Sequence, residues 1–450
     1  MLKPDGSLHA VRHTVAEEAP GASLSKEEAL ARAEKFLREE KKIDLAQWSL
    51  VDSNSDKRPH RIDHTFTWQE NAPLDGGGTA NSAVATVNSV DHAFARIELA
   101  VLGDEVTDYR TYIKIPDEWR RKQEEMTLTK IILGYAIPIL TVAGFGITAL
   151  IIFLKNLRSE VGRRIPWKRL AMWALWGLAG YLLALAFGNF VQTALSNYRT
   201  AIPFKTMIGV TAISVLLGIL FSYGFLTLLF GTAWYYGTRA FGEERIPGWT
   251  RMPAAYYRDA LFIGLGGTAA WVALDTILKW ANQHLPGAQA GAAANLGTNL
   301  DALFPAAAIL GSTVRSGLTV TALVAITAAF IAGVIRQKWL RALVLVLAVL
   351  ALGGFVANWH DPMDVVKKIA IAAVWIGAVD VAVRYLVRFN VLGYFLIVAG
   401  LFLLSGAGEM LRHPDYFYRA NGYGVLAALV VLFGWPLVAW RRGHTGKALG

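Results

Sequence analysis

The sequence contains no cysteine and few charged side chains. Without cysteine it has no disulfide framework, no thiolate metal site and no cysteine nucleophile, and cysteine usage cannot indicate a redox compartment. Charged residues make up 17% of the 450 residues, whereas a soluble domain carries about 25%. Hydrophobic residues make up 54%, and the runs 340–356 and 391–404 have no charge beyond Arg341. This composition excludes a soluble enzyme, a disordered chain and a fibrous repeat, and it indicates a polytopic membrane protein.

Several motifs of catalysis and binding are also lacking. The sequence has no P-loop, no Gly-x-Ser-x-Gly elbow and no His-Glu-x-x-His zinc motif. His60, His64 and His92 are irregularly spaced, so we expect polar histidines there and no metal site. The net charge of +10 does not predict a nucleic-acid partner, because residues 131–450 carry 26 basic and 11 acidic side chains, whereas residues 1–130 carry 18 and 23. We expect the lipid bilayer to be the main partner.

Long apolar segments predict the architecture. About 20 apolar residues are needed to cross the hydrocarbon core of a membrane. The fifth such segment is too long for one straight span and contains Pro305, Gly311 and Gly317, so we expect a kink or a re-entrant start there. The predicted fold is an α-helical polytopic bundle of about nine spans with a small N-terminal α+β extracytoplasmic domain. The segments are about 131–154, 170–190, 207–233, 260–278, 303–335, 340–357, 365–387, 391–408 and 423–440.

The distribution of lysine and arginine among the loops predicts the orientation. One set of loops carries 18 of these residues, and the alternate loops carry 7. Cytoplasmic loops are enriched in basic residues. We therefore predict a multi-pass protein with its C-terminus in the cytoplasm and residues 1–130 outside.

Ionisable side chains within predicted spans are candidate functional groups, because each costs about 2.5–3.5 kcal/mol on insertion scales. The candidates are Asp275, Arg315, Asp380 and Arg384. Asp380 and Arg384 are four residues apart, share one helix face and predict a structural ion pair. Asp275 lies near the outer end of its span and is expected to be interfacial. A small-solute transporter would need several such groups near mid-membrane on broken helices, and this sequence offers few.

The N-terminal region has both helix and strand signals. Ser25 and Glu28 form a capping box that begins an amphipathic helix ending near Glu40. Alternating patterns predict strands within the same region. We predict a small α+β domain over 1–115, a charged helical stalk over 116–130 and a transmembrane bundle over 131–450. The predicted strands are 62–68, 94–101 and 106–115.

Two stretches of this domain carry a family resemblance. Residues 52–68 (DSNSDKRPHRIDHTFTW) and 109–121 (YRTYIKIPDEWRR) resemble the outer region of long bacterial CPBP-family intramembrane proteases. In that family a duplicated PepSY-like domain follows an N-terminal anchor and precedes a protease-like helix bundle. The resemblance covers residues 1–130 well and the later spans loosely. It implies a bacterial inner membrane and, because Met1 begins without a signal peptide, an expectation that an anchor and a first repeat are missing upstream.

The family's chemistry implies a Glu-Glu-x-x-x-Arg motif, a Phe-x-x-x-His motif and a later histidine followed by Asn or Asp. Such groups would hold and activate a water for amide hydrolysis. Here Ser316 and Gly317 stand where the glutamates are expected, Thr321 where the arginine is expected, and Ala357 near the expected histidine. No predicted span contains a histidine. We therefore predict a CPBP-like protein without catalysis and without a cofactor, with zinc relevant only if the protein is an active protease.

Two further patterns imitate parts of these motifs. Glu243 and Glu244 form a glutamate pair, but we place it in a solvated cytoplasmic loop. His360 and Asp364 have a His-x-x-x-Asp spacing, yet Pro362 lies between them, so they are a weak metal candidate. The predicted role is binding, sensing or scaffolding at the bacterial envelope, with the outer domain contacting a peptide or an envelope protein. The alternatives are an active intramembrane protease with displaced motifs and a small-solute transporter.

Overall fold

The computed structural model describes residues 11–74, 92–196, 198, 202–243, 246, 252–284, 299–335, 337–359, 361–383 and 390–445. The chain divides into two compact units. The first comprises the N-terminal region up to Met126 together with residues 197–212, and the second comprises the rest of the chain from Thr127.

The first unit is built on an antiparallel sheet. Its strands, in chain order, are β1 (Val11–Arg12), β2 (Trp48–Lys57), β3 (Ile62–Glu70), β4 (Phe94–Leu102) and β5 (Glu105–Lys114). Their order across the sheet is β1-β5-β4-β3-β2. Helix α1 (Lys26–Glu39) covers one face, where Ala33 and Leu37 are buried together with Phe66, Ile97 and Leu99. The predicted α+β fold of this region is confirmed.

The predicted capping box begins α1. Ser25 Oγ accepts a hydrogen bond from the Glu28 backbone N–H at 3.3 Å, and the Ser25 backbone N–H donates to Glu28 Oε2 at 2.8 Å. These two bonds satisfy groups that a helix start leaves without partners. The Ser25 backbone N–H, and to a smaller extent the Ser25 hydroxyl, which also donates to Glu28 Oε2 at 2.8 Å, hold the pKa of Glu28 below its usual value.

A buried charge pair holds the segment before α1 against the sheet. Arg61 Nε donates to Asp63 Oδ1 at 2.7 Å, and both side chains are nearly inaccessible to solvent. Arg61 Nη1 donates to the carbonyl oxygens of Ala16 and Ala19 at 2.7 and 2.8 Å. Arg58 adds a second contact to Asp63 at 3.2 Å. Each buried charge of this group therefore has a polar partner, as burial requires.

The remainder of the described chain is helical. After α2 (Asp117–Glu124), a π-helical segment (Lys130–Ala136) leads into α3. Residues 125–127 are not helical, so the predicted stalk over 116–130 is interrupted. The first nine residues of α7, 204–212, belong to the first unit. With that exception, the helices of the second unit are α3 (Ile137–Lys155), α4 (Glu160–Arg163), α5 (Trp167–Phe187), α6 (Phe190–Ser196), α7 (Phe204–Phe241), α8 (Ala254–His284), α9 (Pro305–Gly333), α10 (Lys338–Val356), α11 (Pro362–Val381), α12 (Val391–Leu411) and α13 (Tyr416–Thr445).

Eight segments of the described chain are long and apolar enough to cross a membrane, which confirms the predicted polytopic helical fold. They correspond to eight of the nine predicted spans: Lys130–Lys155, Trp167–Phe187, Phe204–Phe241, Ala254–His284, Pro305–Gly333, Lys338–Val356, Val391–Leu411 and Tyr416–Arg442.

Two predicted spans differ from expectation. The seventh, 365–387, overlaps α11, whose first turns carry Asp364, Lys367 and Lys368, and its last residues, 384–387, lie outside the described chain. Within the described residues α11 is not one of the eight apolar segments. The fifth, 303–335, was expected to have a kink or a re-entrant start, but α9 is one helix from Pro305 to Gly333. Pro305 occupies the first helical position, where its missing N–H leaves no hydrogen bond unmade. The expected re-entrant start is therefore wrong.

Helices α9 and α12 are the most enclosed of the apolar helices in the described chain. Helix α9 lies among several neighbours. It packs against α5, α12 and α13, while α12 also packs against α8 and α10 packs against α3 and α11. Near its C-terminal end, Phe330 contacts the ring of Tyr236, with centroids 5.3 Å apart. The Tyr236 hydroxyl donates to the carbonyl oxygen of Ala149 on α3 at 2.6 Å. An aromatic cluster thus joins α3, α7 and α9.

Candidate functional site

The outer surface of the helical unit is apolar, as a lipid-facing surface requires. Leu140 on α3, Phe221 on α7 and Val430 on α13 are each 71% exposed. Large apolar patches of this kind on a helical bundle indicate contact with lipid or with another protein. Against this background, a helix that turns polar side chains outward is unusual.

Helix α9 has polar side chains on its outward side. Residues spaced three or four apart lie on one helix face. On α9 such a series is exposed or half-buried and comprises Ser312, Arg315, Thr319, Leu323 and Thr327. Four of the five are polar. We call Ser312, Arg315, Thr319 and Thr327 the α9 polar stripe.

The hydroxyl groups of the stripe are satisfied within α9 itself. Ser312 Oγ donates to the carbonyl oxygen of Ile309 at 3.0 Å, and Thr319 Oγ1 donates to that of Arg315 at 2.8 Å. Thr327 Oγ1 donates to its own helix in the same way, at 2.8 Å. These bonds let hydroxyl side chains lie in an apolar medium at little cost. No hydrogen bond of this kind is described for the guanidinium of Arg315.

Arg315 instead lies over an aromatic ring. Its Cζ atom is 4.6 Å from the centroid of the Tyr181 ring on α5. Such a cation–π contact is worth about 0.5–1 kcal/mol at exposed sites and about 2 kcal/mol when desolvated. In the described part of the chain no carboxylate or carbonyl oxygen accepts a hydrogen bond from this guanidinium. Among the described residues, the ring of Tyr181 therefore holds the guanidinium in place, and no carboxylate neutralises its charge.

A close helix crossing brings Tyr181 and Arg315 together. A Cβ atom at Gly180 would lie 2.7 Å from the carbonyl oxygen of Gly311, and one at Gly311 would lie 2.6 Å from the backbone nitrogen of Ala184. Only glycine at both positions lets the backbones of α5 and α9 approach this closely. On its other side the Tyr181 hydroxyl lies against α7, 2.9 Å from where a Cβ at Gly218 would be.

The depth of Arg315 makes its charge costly. It follows Pro305 by ten residues and precedes Gly333 by eighteen, which at about 1.5 Å per residue is about 15 Å and about 27 Å along the axis. The hydrocarbon core of a bilayer is about 30 Å thick. Because α9 is about 12 Å longer than this core, Arg315 lies about 9 Å inside the boundary when the helix is centred, and charges within the core normally face the interior of a bundle or a water-filled cavity. Here it faces outward.

The positions that resemble catalytic positions are packing positions. Gly317 faces Phe395 of α12, whose Cε2 would be 3.2 Å from an added Cβ, and Ser316 is half-buried beside it. Thr321 is buried, and its hydroxyl has no hydrogen-bond partner among the described residues. Ala357 is the C-terminal cap of α10, which packs on α3 and α11.

The acidic candidates lie on separate helices. Asp275 forms an ion pair with Lys279, one turn along α8, at 2.6 Å. Asp380 lies in the last turn of α11, whereas its predicted partner Arg384 lies outside the described residues. Glu409 accepts a hydrogen bond from the Asn299 backbone N–H at 3.3 Å. None of these carboxylates contacts Ser316 or Thr321 through a described hydrogen bond.

The weak metal candidates have structural contacts where they are described. Asp364 accepts a hydrogen bond from the Asn358 backbone N–H at 2.8 Å and lies 3.9 Å from the buried ammonium of Lys367. His360 lies outside the described residues, as does Glu244. His64 is buried between the Ser55 hydroxyl and the Leu24 carbonyl oxygen. Within the described ranges no group of three or more histidine and acidic side chains is arranged to hold a metal ion.

The N-terminal domain offers a different kind of surface. Strand β2 is the last strand of the sheet and pairs with β3 on one side, with an irregularity at Val51. In the described chain no strand pairs with its other edge. Leu50 and Val51 are exposed on this strand, at 41% and 38%. An edge of this kind can add an extended peptide as a further strand.

Sequence reasoning identified Arg315 but missed the ring beneath it. The missed residues are Tyr181 and the glycines of the crossing, Gly180 and Gly311. One signal was available, since Gly180 and Ala184 are four residues apart in a span and small residues at this spacing are typical of close helix contacts. Comparison of the chain with protein-family models, with curated proteins and with solved structures finds no match.

Proposed function

We propose that the chain is a membrane protein of the bacterial envelope that resembles a CPBP intramembrane protease but binds a partner without hydrolysing peptide bonds. One observation carries the proposal, which is the reversed polarity of α9. The face that packs into the bundle has apolar residues, most of them small, and two threonines, whereas a charged side chain and three further polar ones face outward. Such a helix has the chemistry of recognition at its surface and no acid or base at its buried face.

The chemical requirement for hydrolysis explains why the buried face matters. Amide hydrolysis in water is extremely slow, so an enzyme must lower a large barrier. At the depth of a membrane substrate this requires a positioned base or an activated water. Thr313 and Thr321 are the buried polar residues of α9, and neither ionises at physiological pH. The described part of α9 thus supports a packing and binding role.

The outer domain supports a binding role from the other end of the chain. The charge distribution among the loops predicts that residues 1–130 lie outside the cytoplasm. A peptide or envelope protein that pairs with the open edge of β2 would gain main-chain hydrogen bonds from a ten-residue strand. The proposal therefore includes a recognition surface outside the membrane and a second one, on α9, within it.

The test of the proposal is a hydrolysis assay with the purified full chain in lipid vesicles. We expect no cleavage of model membrane-spanning substrates, with or without added zinc. Ser316→Ala and His360→Ala serve as matched variants, because these residues occupy or border the positions that resemble the protease motifs. Cleavage by the native chain that disappears in either variant would refute the proposal and restore the active protease.

A further inference from the structure

We propose that the α9 polar stripe binds a membrane-spanning helix of another protein, and that this helix carries a carboxylate at the depth of Arg315. The inference rests on the binding role proposed above and names the partner by its chemistry. It is carried by two observations. An outward-facing guanidinium within the span is held on an aromatic ring with no hydrogen-bond acceptor among the described residues, and hydroxyl residues flank it on one face of α9.

The first observation indicates the charge of the partner. The guanidinium of Arg315 carries five N–H donors that favour a planar, bidentate acceptor. Tyr181 stabilises its charge and orients it, with 4.6 Å between Cζ and the ring centroid, but a ring face cannot accept these donors as a carboxylate does. In an apolar medium each unsatisfied polar group is costly. A carboxylate would supply both the charge and the acceptors that the described residues lack.

The second observation indicates that the partner is a helix. Ser312 and Thr319 lie on either side of Arg315 along the stripe, one turn away in each direction. Both are small, and both already donate their hydroxyl hydrogens to α9 carbonyl oxygens. Small residues of this kind line helix–helix contacts in membranes because they let two backbones approach closely. The stripe therefore fits a second helix running alongside α9.

Two other occupants fit the site less well. A lipid phosphate lies at the membrane surface, whereas Arg315 is about 15 Å along α9 from its N-terminal end. A second copy of this chain would have to supply a carboxylate of its own at mid-depth. Asp275 is paired with Lys279, Glu409 accepts from the Asn299 backbone, and Asp380 lies in the last turn of α11.

The experiment measures binding of a synthetic helix to the full chain in phosphatidylcholine vesicles. The probe is a leucine–alanine helix of about 20 residues with one glutamate at its centre, and its control has glutamine there. Energy transfer between labelled chain and labelled helix gives the affinity. We expect the native chain to bind the glutamate helix about tenfold more tightly than the glutamine helix. Cleavage of a substrate in the hydrolysis assay would refute the non-catalytic role without altering this preference.

Substitutions at the charged position test whether Arg315 causes the preference. Arg315→Gln should bind both helices equally, whereas Arg315→Lys should keep a reduced preference for glutamate, which also shows that the variants fold. Arg258→Gln is the matched control, because this arginine lies near the start of α8 and its side chain is 47% exposed. It should leave the preference unchanged.

Cysteine cross-linking locates the bound helix, and the absence of native cysteine makes single-cysteine variants unambiguous. Ser312→Cys and Thr319→Cys should form disulfides with a cysteine next to the probe's glutamate, whereas Leu265→Cys on the exposed side of α8 should not. Four results would overturn the proposal. These are equal affinity for the two helices, a preference that survives in Arg315→Gln, displacement of the probe by anionic phosphatidylglycerol, and Ser312→Cys chains that cross-link to each other in preference to the probe.

Discussion

The N-terminal domain and the helical unit place arginine in opposite environments. In the N-terminal domain Arg61 is almost completely buried and donates to Asp63 and to two backbone carbonyl oxygens. In the helical unit Arg315 faces outward from α9 and has an aromatic ring beneath it. In water a charged side chain costs little free energy at an exposed position, whereas at a buried position it needs polar partners. In a membrane an outward-facing charge meets lipid, so it is the exposed arginine that needs a partner.

The free-energy cost of an exposed charged side chain thus depends on whether it is exposed to water or to lipid. Arg110 on β5 is 55% exposed, and its ion pair with Glu98 at 2.7 Å is a surface pair of small energetic value. Arg315 is also exposed, and within a membrane span such exposure of a charge supports the proposed binding surface. The comparison depends on where each region lies with respect to the membrane.

The largest effect concerns membrane topology, because each reporter fusion reports either the cytoplasm or the outside. If the 18-to-7 split of basic residues sets the orientation, reporter fusions at alternate loops must report opposite sides. An outside signal at two of the four sites predicted to be cytoplasmic would contradict the comparison, because residues 1–130 could then no longer be assigned to the outside. We expect a cytoplasmic signal after Lys168, Thr250, Lys338 and Lys447, and an outside signal after Asn197, Ala290 and Asp415.

The second prediction contrasts two arginines of the outer domain. Arg61→Ala leaves the Asp63 carboxylate buried beside Arg58 alone and removes the bonds to Ala16 and Ala19. We expect a loss of about 3–5 kcal/mol in the free energy of unfolding of this domain. Arg110→Ala, the exposed control, should cost less than about 1 kcal/mol. Hydrogen exchange of the β3 and β4 amides in the full chain measures both, and similar losses for the two variants would contradict the burial argument.

The third prediction concerns the crossing that places Tyr181 next to Arg315. Gly311→Ala puts a Cβ 2.6 Å from the backbone nitrogen of Ala184, so α5 and α9 must move apart. Overpacking of this kind costs about 1–3 kcal/mol, which should lower the thermal unfolding temperature in detergent. Gly144→Ala is the control, because an added Cβ there meets nothing within 4 Å. If both variants unfold at the same temperature, the close crossing does not hold the two helices together.

The smallest effect is a pH dependence at the start of α1. Hydrogen bonds from Ser25 lower the pKa of Glu28, so its contribution to stability is present above the unfolded pKa and is lost as the pH falls through the folded pKa. Hydrogen exchange of the α1 amides, corrected for intrinsic rates, should show weaker protection in acid for the native chain. Glu28→Gln should remove this dependence, whereas Glu27→Gln should keep it. A dependence that persists in Glu28→Gln would assign the effect to another group.

Local patterns were enough to predict much of the fold. The capping box at Ser25 and Glu28 begins α1 as expected, and β3, β4 and β5 agree with the predicted strands to within two residues or so. The apolar segments identified eight spans because span length and hydropathy are properties of contiguous residues. Strand β2 was missed, since its polar residues from Asp52 to Lys57 do not alternate as a half-buried strand does.

The amino-acid order alone establishes that the chain is a polytopic helical membrane protein with a small α+β domain, and it already marks Arg315 as a costly charge. Which way Arg315 faces depended on the packing of α9 against α5 and α12, because helix periodicity defines a face but not the neighbour that covers it. The ring of Tyr181 comes from a residue more than a hundred positions away, and it meets Arg315 only because Gly180 and Gly311 let two backbones touch. Contacts of this kind join distant parts of the chain and leave no periodic signal within either helix.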